Sequence, residues 1–152
     1  MEDILYLTKS EISFDDISRV CNDCGYETAI FRRDVTWLEI RHARNGSEPE
    51  GRWVVDRMTA DDALDDLEPE ELASIQSLAC NAYLLIQYRL ETLCDLSRLI
   101  ARLMDSFGGF VYGPDAVIYN RDTILNMRAT SAATGDVLVD CGESRLMGTD
   151  LA

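Results

Sequence analysis

The chain has 152 residues, 47% of them hydrophobic, which is material for one packed core and too apolar for a disordered segment. Its formal net charge of −14 sets 28 acidic residues against 14 basic ones. That balance excludes nucleic acid and anionic membranes as natural partners, since phosphate binding is driven by Lys and Arg, whereas a basic protein surface would be steered toward it.

The opening MEDILYLTKSE has neither a basic n-region nor an apolar h-region, so no secretory leader is expected. The longest wholly apolar run, residues 82–86, falls far short of the roughly 20 residues that a membrane span requires. Five cysteines, an odd number, read in this setting as reduced thiols, and the expected compartment is the cytoplasm. One α+β domain is expected over residues 1–142, followed by a small, polar, mobile tail over 143–152.

In chain order, residues 4–8 are a β-prone run. Ser13 with Asp16 makes a capping box, and Phe14, Ile17, Val20 and Cys21 then fall at helical spacing until Gly25 closes the helix. Residues 26–31 and 36–42 (TWLEIRH) read as strands, and 52–56 (RWVVD) as the return strand of a hairpin whose long connection includes Asn45 to Gly51. The acidic block 56–71 packs eight carboxylates and one arginine. Pro69, Glu70 and Glu71 have the composition of a helix first turn, where the dipole favours negative charge. Leu72, Ile75, Leu78 and Ala79 supply that helix's buried stripe.

Residues 82–88 predict a strand, and Leu93, Leu96, Leu99, Ile100, Leu103, Met104 and Phe107 an amphipathic helix stopped by Gly108-Gly109. Phe110 to Tyr112 and 116–119 follow as strands around a Gly113-Pro114-Asp115 turn. Residues 121–128 read as a short helix and 137–139 as an edge strand. The order strand–helix–Gly–aromatic–strand thus occurs twice, over 4–31 and 82–119. Two βαβ-like units with an additional hairpin predict a two-layer α/β sandwich of the ferredoxin-like kind. The competing architecture is a long central helix over residues 70–107 packed on a small sheet, because Leu72, Ile75, Ala79, Ala82, Ile86 and Leu90 nearly keep a 3,4 spacing. Such a helix would be about three times the usual length, and Tyr83, Ile86 and Tyr88 favour a central strand.

The chemical constellations are thin. Cys21 and Cys24 form a CxxC, but at a helix C-terminus, where the dipole does not lower a thiol pKa, and no second close pair completes a zinc site. His42, the only histidine, sits at a strand end without a nucleophile elbow anywhere in the chain. The pairs Asp61-Asp62 and Asp65-Asp66 lack the alternation and central glycine of a calcium loop. No phosphate-cradling motif occurs, and Lys9 is the only lysine. Arg98 and Arg102 lie at i,i+4 beside Asp95 and Asp105, which predicts local ion pairs. No catalytic residue, metal or cofactor is expected.

The stretch DLSRLIARLMDSFGGFVYGPDAVIYN resembles the C-terminal part of small bacterial toxin-immunity proteins, in which a helix ending in Gly-Gly precedes aromatic strands joined by a Pro-Asp turn. The resemblance covers about forty residues and carries no catalytic residue. It implies a cytoplasmic, non-enzymatic protein that binds and neutralises a cognate bacterial toxin with a basic active-site cleft. The contact residues expected for such a role are Asp61, Asp62, Asp65, Asp66, Glu68, Glu70 and Glu71, with Trp53 and Trp37 as apolar anchors. The protein would act as a monomer or homodimer. The alternatives are a homo-oligomeric adaptor or regulatory subunit, joined through the sheet edge or the Leu/Met-rich helix, and an enzyme whose site has no recognisable motif.

Overall fold

The computed structural model describes residues 2–42 and 51–142; the expected long loop at 43–50 and the expected tail at 143–152 lie outside them. In chain order the elements are β1 (Glu2–Thr8), α1 (Phe14–Asp23), β2 (Glu27–Arg32), β3 (Thr36–His42) and β4 (Gly51–Met58). Then follow α2 (Ala60–Ala63), α3 (Pro69–Gln76), β5 (Ala82–Tyr88), α4 (Leu93–Phe107), β6 (Phe110–Tyr112) and β7 (Ile118–Tyr119). A hairpin of β8 (Arg128–Thr130) and β9 (Val137–Asp140) ends the described chain. The fold is α+β, and no helix among the described residues is long and apolar enough to cross a membrane.

Seven strands form one sheet in the order β2-β3-β4-β5-β1-β6-β7, with every neighbouring pair antiparallel. The segment 82–88 is therefore the central strand expected of it, pairing β1 on one side and β4 on the other. The long helix over 70–107 does not form: α3 ends at Gln76, and Ala79 is exposed with a φ of 55°, a left-handed residue that turns the chain into β5. A left-handed alanine cannot continue a helix, which also removes Ala79 from the expected buried stripe.

The two expected βαβ-like units are present as split crossovers. The strands β1 and β2 run parallel with β5, β4 and β3 between them, while β5 and β6 run parallel with β1 between them. Local pattern locates the elements of such a unit but carries nothing about strands inserted from elsewhere in the chain.

Alternation along the central strands sends side chains to two cores. Ile4, Tyr6, Leu84, Ile86, Tyr88, Trp53, Val55, Leu38 and Ile40 face α1 and α4 in the larger one. Leu7 and Tyr83 face the other way, into a small cluster with Ile75, Cys80, Leu64 and Leu67. Helices consequently cover both faces, where a single helical layer was expected. The second layer, α2 and α3, is drawn from the acidic block.

Local chemistry sets the element ends. The Asp16 N–H donates to Ser13 Oγ at 3.1 Å and caps α1. At the end of α4, Gly109 has a φ of 97°, and a Cβ there would run into the Leu7 carbonyl of β1. Only glycine lets β6 leave the helix this close to its partner strand. The Tyr6 hydroxyl, buried under α4, donates to the Gly108 carbonyl at 2.6 Å and ties the same corner from the other side.

Three local expectations change. Residues 121–128 hold a single 3-10 turn at Ile124–Asn126 in place of the expected short helix, whereas the edge strand expected at 137–139 forms as β9 and pairs with β8 outside the main sheet. Asp105 pairs with Arg121 at 2.6 Å, leaving only the Asp95–Arg98 pair of the two expected along α4. Cys94 and Cys141 are joined in a disulfide, which leaves Cys21, Cys24 and Cys80 as the free thiols. The expectation of five reduced cysteines is corrected by topology: the β8–β9 hairpin returns Cys141 to the first turn of α4, with the two Cα atoms 5.1 Å apart.

Candidate acidic cleft

The acidic block does not lie flat on the surface. The Thr59 side chain caps α2 by accepting from the Asp62 N–H at 3.2 Å. The single turn that follows hangs Asp62 and Asp66 over the face of the sheet opposite α4, and Ala63 and Leu67 turn inward beside them. Beneath lie Leu5 of β1, Leu85 of β5, Met58 of β4 and Tyr112 of β6. The result is a cleft of about 450 Å³ with an apolar floor.

Glu2 and Asp3, the first residues of β1, border the same cleft: Asp3 shares the face of Leu5 and adds a third carboxylate to Asp62 and Asp66, whereas Glu2, opposite Tyr88, alternates toward the α4 side. Among the described residues that line it, none is basic. Neither Glu2 nor Asp3 was expected to take part. They are about sixty residues from Asp62, and only the pairing of β1 with β5, and of β5 with β4, brings them there. Nothing in one sequence signals that register.

The remaining candidates divide. Glu70 and Glu71 border a second, shallower cleft of about 310 Å³ with Ser74, Tyr112, Ala116 and Ile118. Tyr112 belongs to both clefts, and its hydroxyl donates to Glu71. Asp61, Asp65 and Glu68 are exposed and are absent from both linings. The seven acids thus share one stretch of chain, an acidic flank in which Asp62, Asp66, Glu70 and Glu71 are built into concave surface.

Trp53 is not there. It is 1% exposed, its indole N–H donates to Thr92 Oγ1 at 3.0 Å, and Tyr26 packs on it with ring centroids 5.3 Å apart. The side chain fills the larger core, so its expected role as an interface anchor is corrected: a buried, hydrogen-bonded Trp offers a partner no surface. Trp37 is half-buried on the open face of β3 and stacks on Phe31 at 5.0 Å.

The other candidate chemistry disperses. Cys21 is fully buried in α1, and burial pushes its thiol up to about 12, with the neighbouring Cys24 as a lesser cause. A thiol so held is a poor nucleophile and a poor ligand. His42 ends β3, and its side chain lies outside the described ones. What the cleft offers is carboxylate acceptors above an apolar floor, the arrangement that suits the aliphatic stem and charged head of Lys or Arg.

No family model matches the chain. No curated protein and no solved structure is similar enough to match it either.

Proposed function

We propose that the protein is a non-catalytic binding protein of the toxin-immunity kind, whose acidic cleft receives basic side chains of a cognate bacterial toxin domain and so blocks it. The observation that carries this reading is the convergence of Asp3, Asp62 and Asp66 on one cleft with an apolar floor. A solvated acidic face would not need concave geometry, and a small-molecule enzyme site would need groups that move protons or form bonds. Carboxylates grouped this way raise the association rate of a basic partner and oppose an acidic one. Asp61, Asp65 and Glu68 would add to that field, and Glu70 and Glu71 would extend the contact. The compartment in this reading is the bacterial cytoplasm, and neither nucleic acid nor a membrane is a partner. The Cys94–Cys141 disulfide pulls against that compartment, since disulfides persist in oxidising ones. Alkylation of cysteines at the moment of lysis decides the point by showing whether the pair is bonded in the cell.

The experiment co-expresses the chain with the toxic domain encoded beside its gene and scores growth. Replacing Asp3, Asp62 and Asp66 together by Lys is expected to abolish protection and lower affinity at least about a hundredfold, with the circular dichroism unchanged. Full protection by the folded variant sinks the proposal. Protection lost equally when exposed acids outside the flank, Asp15 and Asp23, are reversed would reduce it to a net-charge effect.

A further inference from the structure

The sheet has two ends, and they are finished differently. At one end β7 is two residues long and follows the Pro114 turn, so it presents almost no free backbone. At the other, β2 is a regular six-residue strand, Glu-Thr-Ala-Ile-Phe-Arg, paired with β3 in unbroken register and with nothing on its outer side among the described residues. Edge strands are normally protected by Pro, bulges, inward charges or brevity. The middle of β2 has none of these, and Ala29, Ile30 and Phe31 are each half-buried. Val35, 66% exposed, sits at the tip of the same hairpin.

We propose that the outer edge of β2 pairs antiparallel with β2 of a second copy, giving a two-fold dimer with a continuous fourteen-stranded sheet (twice the seven strands of one sheet). A two-fold axis normal to the sheet keeps each face on its own side, so residues can oppose only residues of the same parity. Centring the axis on Ile30 places Ile30 against its copy, Ala29 against Phe31 of the second copy, and Glu27 beside Arg33 of the second copy, the first residue of the turn that follows β2. Centring on Ala29 would oppose Glu27 to Phe31, and centring on Phe31 would oppose Ala29 to Arg33; both waste the charges. Only the Ile30 register matches apolar with apolar and acid with base.

Two further observations support a second copy as the occupant. Glu27, Arg32 and Arg33 are exposed and make no ion pair within the described chain, although arginines 19, 41, 52, 89, 98, 121 and 128 do. In a chain of net charge −14, residues 27–42 hold three arginines against three carboxylates, so this is a region where two copies meet without mutual repulsion. The acidic cleft lies at β1, the end of β4, β5 and β6, with β3 between it and this edge, and stays open in the dimer.

The test is light scattering of the full chain from about 1 to about 300 µM. The expected mass at the upper end is twice 17.1 kDa. Glu27→Arg, and separately Arg33→Glu, each place like charges across the axis twice and are expected to weaken the dimer roughly tenfold or more. The double variant E27R/R33E swaps the charges and is expected to restore it, an outcome that general loss of stability cannot produce. A wild-type chain that stays monomeric throughout, leaving the edge to a foreign strand, overturns the proposal. So do single variants that dimerise unchanged, or a double variant that fails to recover.

Discussion

On one face of the sheet, Tyr6, Ile86, Trp53 and Leu38 meet α1 and a Leu/Met-rich α4, whose Leu93, Leu96, Leu99, Ile100, Leu103 and Met104 are all buried. On the other, Leu7 and Tyr83 meet a smaller cluster of Ile75, Cys80, the short turn of α2 and the half-buried Phe110, Tyr112 and Ile118, and Leu5, Leu85 and Met58 are left as the floor of a cleft. The strands are the same, and what differs is the length and charge of what covers them. A fifteen-residue amphipathic helix can bury a whole stripe of sheet, whereas a four-residue helix carrying two aspartates cannot. Stability is therefore expected to reside on the α4 face and partner binding on the other. The same asymmetry makes the acids available: they belong to the covering segment that is too short and too polar to close its face.

That division can be broken most forcefully through the disulfide. Cys94–Cys141 holds the β8–β9 hairpin against α4 and closes a loop with a sequence separation of 47, for which chain entropy gives about 4 kcal/mol of stabilisation. Replacing both cysteines by Ser should lower the denaturation midpoint accordingly in non-reducing buffer while leaving the affinity of the acidic cleft unchanged. A loss under about 1 kcal/mol would mean that the hairpin is held by packing alone. Next in size is a matched pair of core truncations. Ile100 on the inner face of α4 and Ile75 on the inner face of α3 are both essentially inaccessible. Ile100→Ala is expected to cost about 4 kcal/mol and Ile75→Ala about 2, because the smaller cluster can collapse onto the space left behind. Equal losses in urea titrations would erase the distinction between the faces.

Most elements were legible in the sequence because each is fixed by local signals that agree. Ser13 caps α1, Pro69 opens α3, Gly108-Gly109 stops α4, and the alternating residues of β3 and β4 form the expected hairpin. The strand β5 was readable from its β-branched and aromatic content despite a competing helical spacing. What could not be read was long-range: which strands separate β1 from β2, that β9 leaves the main sheet, and that Cys141 returns to Cys94. The acidic flank was visible as composition, but its concavity depends on Asp3, which periodicity does not connect with Asp62. Trp53 shows the converse failure. Its place in an alternating strand fitted both faces equally, and only the register with β3 and β5 puts it in the core.

The smallest expected effect concerns Asp56, the first acid of the block, which sits on the open face of β4 opposite Leu85 and Trp37. Burial beside these apolar groups raises its carboxyl above the usual value of 3.8. A carboxyl raised in the folded state opposes folding once both states are ionised. The penalty is absent at acid pH, where both states are protonated, grows as pH rises from the unfolded toward the folded value, and is constant above it. Asp56→Asn should therefore stabilise the protein at pH 7 by less than about 1 kcal/mol, since the group is still partly solvated. The gain should disappear below about pH 4. Urea titrations of the two proteins at pH 7 and pH 3.5 measure both arms. A variant less stable than the parent at pH 7 would show that Asp56 holds a favourable contact that outweighs the cost of burying its charge.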